Sequence, residues 1–218
     1  MALAIFDLDH TLLDGDSDYL WGRFLVENGV VDGAAYEREN QRYYDEYSAG
    51  TLDIHEYLAF ALHPLTNYEP EQLYAWRRRF VEEKIHPIML PKAIELISRH
   101  RQALDTLLII TATNRFVTEP IAEAFGVPQM LATEPEIEQG RYTGRPAGTP
   151  CFQGGKVLRL KHWLRESGHT LEGSWFYSDS HNDIPLLEYV THAVAVDPDD
   201  ILKHHAQQRG WKIITLRR

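Results

Sequence analysis

Two pairs of aspartates carry the strongest chemical signal in this 218-residue chain. Near the start, the apolar run Leu3-Ala4-Ile5-Phe6 leads directly into Asp7-Leu8-Asp9-His10-Thr11-Leu12. A buried strand that delivers two carboxylates, one residue apart, at its tip is poorly explained by packing. Like charges brought together cost stability unless a cation or a shared proton compensates them. Near the other end, Ser174-Trp175-Phe176-Tyr177 reads as a second short buried strand and runs into Ser178-Asp179-Ser180-His181-Asn182-Asp183. If the two strands are parallel neighbours, their carboxyl ends open on one sheet edge, where ligands sit in open α/β folds. Asp7, Asp9, Asp179 and Asp183 then converge, and all-oxygen ligation suits a hard hydrated cation, Mg²⁺ first. No Cys/His spacing favours zinc. Taken singly, Asp14, Asp16 and Asp18 read as helix caps or solvated turn.

Two further positions complete a site for phosphoryl transfer. The strand signal Thr106-Leu107-Leu108-Ile109-Ile110 ends in Thr111-Ala112-Thr113-Asn114, which offers a hydroxyl and backbone N–H groups at a strand tip. Gly154-Gly155-Lys156 opens an amphipathic helix, with Val157, Leu160, Trp163 and Leu164 on one side. A helix N-terminus does not favour a cation, so Lys156 is best explained by an anion in front of it.

The elements that must position these groups follow from the texture of the chain. From Leu13 to about Pro87 there is no convincing strand. Helical patches occur at Tyr19 to Leu25, Tyr36 to Tyr47, Ile54 to Leu62 and Leu73 to Ile85, punctuated by Gly29, Gly33, Gly50 and the stretch His63-Pro64-Leu65-Thr66-Asn67. This predicts a helical cap inserted between the first and second core strands. Beyond Leu90 the αβ alternation returns, with helices near Lys92 to His100, Arg115 to Phe125, Lys156 to Ser167 and Asp200 to Gln207. Strands near Thr106, Met130, Trp175, Ala193 and Lys212 complete a parallel core. Glu136 to Arg145, with Gln139-Gly140-Arg141 in the middle, reads as a β-hairpin flap. The domain expectation is a core of residues 1–13 and 88–218 and a cap of residues 14–87. Trp21, Tyr43, Tyr44 and Tyr57 are expected in the cap core, and Arg77-Arg78-Arg79 on a solvated helix face.

Composition agrees with a compact enzyme. With 44% hydrophobic and 25% charged residues, the chain can form one α/β domain plus a small insertion. A net charge of -10 argues against nucleic acid or an anionic membrane surface as a partner. The single cysteine, Cys151, excludes an intrachain disulfide and points to a reducing compartment. A core strand beginning at residue 2 or 3 leaves no room for a signal segment, and no apolar run reaches membrane-spanning length. A cytoplasmic location is the expectation; oligomeric state is left open.

In order, Asp7-x-Asp9-x-Thr11, Thr111, Lys156 and Asp179-Ser180-x-x-Asp183 resemble motifs I to IV of the haloacid dehalogenase superfamily of aspartate-nucleophile phosphatases, over nearly the whole chain. The resemblance implies a Rossmann-like, doubly wound parallel α/β core with an inserted all-helical cap of the C1 type, a covalent aspartyl-phosphate and dependence on Mg²⁺. By the same carry-over Asp7 is the nucleophile and Asp9 the general acid and base. Thr111, Ala112 and Lys156 bind phosphate, and Asp7, Asp9, Asp179 and Asp183 form the metal side. The chemistry is coherent. A cation neutralises the repulsion between a carboxylate and a phosphate dianion, and covalent capture splits one hard displacement into two easier ones.

A helical insertion right after the first motif is similar to the phosphoserine-phosphatase-like branch, subfamily IB. In that branch an acidic residue soon after motif I holds the substrate amine, and Asp16 matches it. An arginine on a later cap helix holds the substrate carboxylate, but the matching position here is Ala61. The expected partner is therefore a small phosphorylated metabolite with an amine but no essential carboxylate, an amino-alcohol phosphate such as histidinol phosphate, with phosphoserine as the alternative. A phosphosugar mutase would share the nucleophile. A receiver-type signalling domain would place its acid pair and its phospho-acceptor on different strands, unlike Asp7 and Asp9.

Overall fold

Strand β1 (Leu3–Phe6) is buried along its whole length, and its alternating side chains divide the core. Ala4 and Phe6 pack into one hydrophobic layer, Leu3 and Ile5 into the other. In the computed structural model, which describes residues 2–217, β1 is the central strand of a seven-stranded sheet of order β4-β3-β2-β1-β5-β6-β7. The other strands are β2 (Thr106–Asn114), β3 (Gln129–Glu138), β4 (Arg141–Ala147), β5 (Trp175–Ser178), β6 (His192–Val196) and β7 (Lys212–Ile214). All neighbouring pairs are parallel except β3 with β4. This is the doubly wound α/β core expected from the sequence.

Helices cover both faces of the sheet. Helices α5 (Pro91–Gln102) and α6 (Arg115–Ala124) place Ala93, Leu96, Ile97, Phe116, Val117 and Ile121 in the layer of Phe6. Helices α7 (Gly154–Ser167), α8 (Ile184–Leu187) and α9 (Asp200–Arg209) place Leu160, Leu186, Leu187, Leu202 and Ala206 in the layer of Ile5. Connections from β1 and β2 thus run over one face and those from β4 onward over the other, so the crossing sense reverses beside β1. That reversal is where a parallel sheet opens a crevice at its carboxyl edge.

Between β1 and α5 lie α1 (Ser17–Glu27), α2 (Gly33–Ala49), α3 (Ile54–Leu62) and α4 (Pro70–Phe80), with no strand among them. Local chemistry sets their ends. Asp16 caps α1 by accepting from Tyr19 N at 2.8 Å, Asp53 caps α3 by accepting from His55 N at 2.9 Å, and Pro70 opens α4. Gly50 ends α2 with φ 72° and passes so close to the His181 ring that a Cβ would collide with it. The two stems of this insertion are stitched together by an antiparallel bridge between Leu13 and Met89, with Asp14 N donating to Ile88 O at 2.8 Å and Leu90 N to Leu12 O at 3.1 Å.

Two elements depart from expectation. The helix expected over Leu73 to Ile85 stops at Phe80 and loosens into a π turn over Val81–Ile85 and a 3₁₀ turn over His86–Ile88. Pro87 has no N–H with which to continue the ladder. The strand expected near Met130 and the flap expected over Glu136 to Arg145 share one strand. β3 pairs with β2 through Met130, then continues as the first arm of a hairpin in which Ile137 faces Tyr142. Gln139 and Gly140 turn the hairpin with φ 50° and 80°, the left-handed pair that matches strand twist. Strand β4 packs against α3 and His63–Thr66. Among the described residues no helix is long and apolar enough to cross a membrane.

Candidate active site

Register alone brings the acidic motifs together. Phe6 pairs with Ile109 on one side and Tyr177 on the other, and Asp7 N donates to Tyr177 O at 2.9 Å. Asp7, Thr111 and Ser178-Asp179 therefore gather at one edge, the carboxyl ends of β1, β2 and β5. The following loop is held in place by buried Leu8 and Leu12. At its apex His10 takes φ 55°. Arg217, from the chain's other end, donates to His10 O at 3.0 Å and to Asp14 Oδ1 at 2.9 Å.

Lys156 is the third residue of α7 and is almost sealed from solvent. Its Nζ donates to Asp7 Oδ1 at 2.8 Å and lies 2.7 Å from Asp183 Oδ1. The anion that explains a lysine at a helix start is thus, in the protein itself, a pair of carboxylates. Gly155 allows the approach, because a Cβ there would overlap Pro150 O. The start of α7 is further tied by Gln153, at φ 46° and ψ -121°, whose amide donates to Asn182 Oδ1 at 2.9 Å. Burial works against the ammonium, yet Asp183 and Asp7 overcome it and hold the Lys156 pKa above the ordinary lysine range. One ammonium nevertheless serves several acids. Burial, opposed by Lys156 and reinforced by Asp183 and Asp9, pushes Asp7 up to about 7. Burial and the charges of Asp7 and Asp183 raise Asp179 well above the usual range, against the hydrogen bond from Thr11.

The remaining acids are each gripped differently. Asp9 Oδ2 accepts from Thr113 Oγ1 at 2.9 Å and Asp9 Oδ1 from Ser17 N at 2.6 Å. Asp179 Oδ1 accepts from Thr11 Oγ1 at 2.9 Å. Asp183 Oδ2 accepts from Ser178 Oγ at 2.7 Å as well as from Lys156. Thr111 Oγ1 accepts from Thr113 N at 3.2 Å, and Thr111 and Ala112 line the cavity beside Asp7.

These contacts bear on the expected metal set. Among the described residues, no three carboxylate or imidazole groups gather closely enough to cage an ion by themselves. Lys156 stands between Asp7 and Asp183, and Asp9 turns to Thr113 and Ser17. Asp7 and Asp179 have one oxygen each engaged by a protein donor among the described residues. Two hard carboxylates with a free oxygen each at one sheet edge fit Mg²⁺, which keeps most of its waters and needs only one or two protein carboxylates.

The cavity runs from this edge under the inserted helices. Asp7, Asp9, Thr111, Ala112 and Thr113 form its inner end. Tyr43, Tyr44 and Tyr47 of α2 and Tyr57 of α3 contribute aromatic wall, and Asp16 and Asp18 line the same space at the start of α1. Among the described residues, no lysine, arginine or histidine lines it. Asp16 is a helix cap, as its spacing suggested, and also a cavity residue; burial, with Asp9 adding, raises its pKa well above the usual range. Asp18 is not the solvated acid expected, since burial leads in pushing it up to about 7.

Other expectations change too. Trp21 is cap core, 5.2 Å from Phe80 and 5.6 Å from Phe116 between ring centroids, but Tyr44 and Tyr57 face the cavity. Arg77 is not a solvated residue; it donates to Phe116 O at 3.0 Å and so ties α4 to α6. Ala61 is buried in α3, and no arginine takes its place at the cavity. Thr113 and Ser178, which orient Asp9 and Asp183, were not singled out from sequence. Strand alternation was the available signal for Thr113, because it shares a face with Thr111 two residues before it.

A family model described as haloacid dehalogenase-like hydrolase matches residues 4–188. Among curated proteins, the chain is 42% identical to a histidinol-phosphatase of Neisseria meningitidis over 99% of both chains. It is 30% identical to a phosphoserine phosphatase of Mycobacterium tuberculosis over 97% of this chain and 70% of the relative. Among solved structures, a Bordetella pertussis protein of unknown function superposes with a TM-score of 0.93 at 45% identity, covering 99% of this chain and 98% of that one. A substrate-bound phosphoserine phosphatase gives a TM-score of 0.72 at 20% identity, covering 98% and 92%, a likeness of fold.

Proposed function

Because the chain belongs to the haloacid dehalogenase-like hydrolase family and is a phosphatase, we propose that its substrate is a small amino-alcohol phosphate such as histidinol phosphate, cleaved through an aspartyl-phosphate on Asp7 with Mg²⁺ bound. The observation that carries this reading is the cavity beyond Asp7, walled by carboxylates and tyrosines and, among the described residues, lined by no basic side chain. Such a wall attracts a cationic leaving group and offers nothing to a substrate carboxylate. Phosphoserine carries a carboxylate that would meet Asp16 and Asp18 there. The histidinol-phosphatase relative agrees with the same reading.

We read residues 14–87 as the cap, bounded by the Leu13–Met89 bridge. Asp7, one oxygen of which is held by Lys156, attacks phosphorus in line with the departing alkoxide, and the P–O ester bond breaks as the P–O bond to Asp7 forms. Asp9, fixed by Thr113 and Ser17, donates a proton to the alkoxide and then removes one from the water that hydrolyses the acyl phosphate. Thr111 and the backbone at Ala112, with Lys156, receive the non-transferred phosphate oxygens. Mg²⁺, held by Asp7 and Asp179, would supply charge neutralisation between nucleophile and phosphate dianion. Asp183 keeps Lys156 in register. Asp16 receives the amine of the substrate.

Phosphate release from a panel of monoesters tests this, comprising histidinol phosphate, phosphoserine, phosphoethanolamine and sugar phosphates, with and without Mg²⁺ and with Asp7→Asn as control. Metal-dependent release concentrated on the amino-alcohol esters, abolished in Asp7→Asn, is expected. Preferential turnover of phosphoserine would overturn the substrate reading, and phosphoryl return to a sugar without net phosphate release would indicate a mutase.

A further inference from the structure

The cavity holds more carboxyl groups than phosphoryl transfer uses. Beyond Asp7 and Asp9, both Asp16 and Asp18 line it, with no basic residue on its wall among the described residues. A carboxylate withdrawn from water without a counter-charge is costly, and such a cost persists where a ligand removes it. A single amine on the leaving group compensates one of these acids and leaves the other.

The two acids differ in placement. Asp16 is fixed at the mouth of α1 by Tyr19 N, next to Ser17, whose own N–H binds Asp9. It therefore lies beside the chemistry. Asp18 sits within the first turn of α1, where Asn114 Nδ2 approaches its Oδ1 to 3.5 Å, and Tyr57 of α3 lines the same cavity. The helix start favours an acid at this position, but that alone would be satisfied by a solvated carboxylate, not one facing an enclosed space. Tyr57 stays protonated because burial raises its pKa well above the ordinary range, so it presents a neutral ring and a hydroxyl. A neighbouring pair of rings, Tyr19 and Tyr44, lies 5.0 Å apart between centroids on the same cavity. A carboxylate among tyrosine rings is a receptor for a flat cation.

We infer that Asp18, backed by Tyr57, selects substrates carrying a second, planar cation of imidazolium type on the leaving alcohol, one carbon beyond the amine that Asp16 holds. Asp7, Asp16 and Asp18 line one cavity, which matches the phosphate, amine and ring cation of such a molecule in number of charged groups. Asp18 touches the leaving group away from the reacting atoms and is a specificity residue. This assignment rests on the amino-alcohol phosphate reading above.

The test compares kcat/KM for histidinol phosphate with that for 2-aminopropyl phosphate, in which a methyl replaces the imidazolylmethyl arm. The wild-type protein is expected to prefer histidinol phosphate by at least about tenfold, the worth of one good polar contact. Asp18→Asn is expected to reduce that preference by about tenfold or more through the KM for histidinol phosphate, with Asp18→Glu restoring part of it. A preference that stays within about twofold of wild type in Asp18→Asn overturns the assignment and leaves the amino-alcohol reading intact. If Asp18→Asn fails to fold, competitive inhibition of the wild-type protein decides. Histidinol should bind at least about tenfold more tightly than 2-aminopropanol, and equal inhibition overturns the assignment. Release from other monoesters but from neither amino-alcohol ester overturns the substrate reading and this assignment with it.

Discussion

Lys156 Nζ stands 2.8 Å from Asp7 Oδ1, and the two side chains are only 2% and 5% exposed. The pair joins the start of α7 to the tip of β1, residues 149 positions apart in the chain. Its second carboxylate, Asp183, makes the arrangement a buried triad with surplus negative charge. Lys156→Met in metal-free buffer should therefore cost about 3–5 kcal/mol of unfolding free energy, as expected when one partner of a buried ion pair is removed. Urea unfolding measures it; a loss below about 1 kcal/mol would mean the pair is more hydrated than its burial indicates.

Asp18 gives a pH dependence of opposite character. Burial pushes it up to about 7 from 3.8, with the Tyr57 hydroxyl opposing and Asp9 adding. The native protein therefore keeps this proton to higher pH than the unfolded chain does. The resulting penalty is absent below about pH 4, grows up to about pH 7 and is constant above. In the ligand-free protein, Asp18→Asn should raise stability at pH 8 by on the order of 2 kcal/mol, and the gain should vanish near pH 4. A gain of equal size at both pH values would remove ionisation as its cause. A stabilised variant with altered substrate preference is the trade expected of a residue kept for binding.

Thr113 donates its hydroxyl to Asp9 Oδ2 at 2.9 Å, leaving Ser17 N to fix the other oxygen. Thr113→Val keeps the strand shape and removes this one bond. The expected result is a kcat lower by about tenfold with KM little changed, since on the proposed mechanism the bond would orient the proton-transfer group and would not bind substrate. Steady-state kinetics decide, and an unchanged kcat would show that Ser17 alone suffices.

Cys151 is fully buried, with its thiol pushed up to about 12, chiefly by burial, against the attraction of Lys156 and Arg159. Its backbone N–H bonds to Thr133 Oγ1 at 3.0 Å and its Sγ lies 3.7 Å from Leu131 O. Native protein should react with no equivalent of a thiol reagent at pH 8 and with one equivalent after denaturation. Rapid labelling of the native state would contradict the packing at this position.

The amino-acid sequence by itself determined the elements that carry the candidate site, because each is a strand or a helix start whose local pattern is unmistakable. Leu3 to Phe6 before Asp7, Thr106 to Ile110 before Thr111, and the two glycines before Lys156 all read correctly from period, composition and turn residues. Parallel register then had to bring these tips to one edge, since a one-residue slip would have exchanged the side chains of the two buried layers. What only the tertiary structure decided lies in contacts between distant segments. That Lys156 faces Asp7 and Asp183, that Asp9 is gripped by Thr113, that Arg77 leaves solvent for Phe116 O, and that Tyr44, Tyr57 and Asp18 turn to the cavity depend on how the inserted helices settle over the sheet. Helical period marks an apolar face on a segment but does not say whether a tyrosine on its border meets core or cavity, because both environments take the same ring.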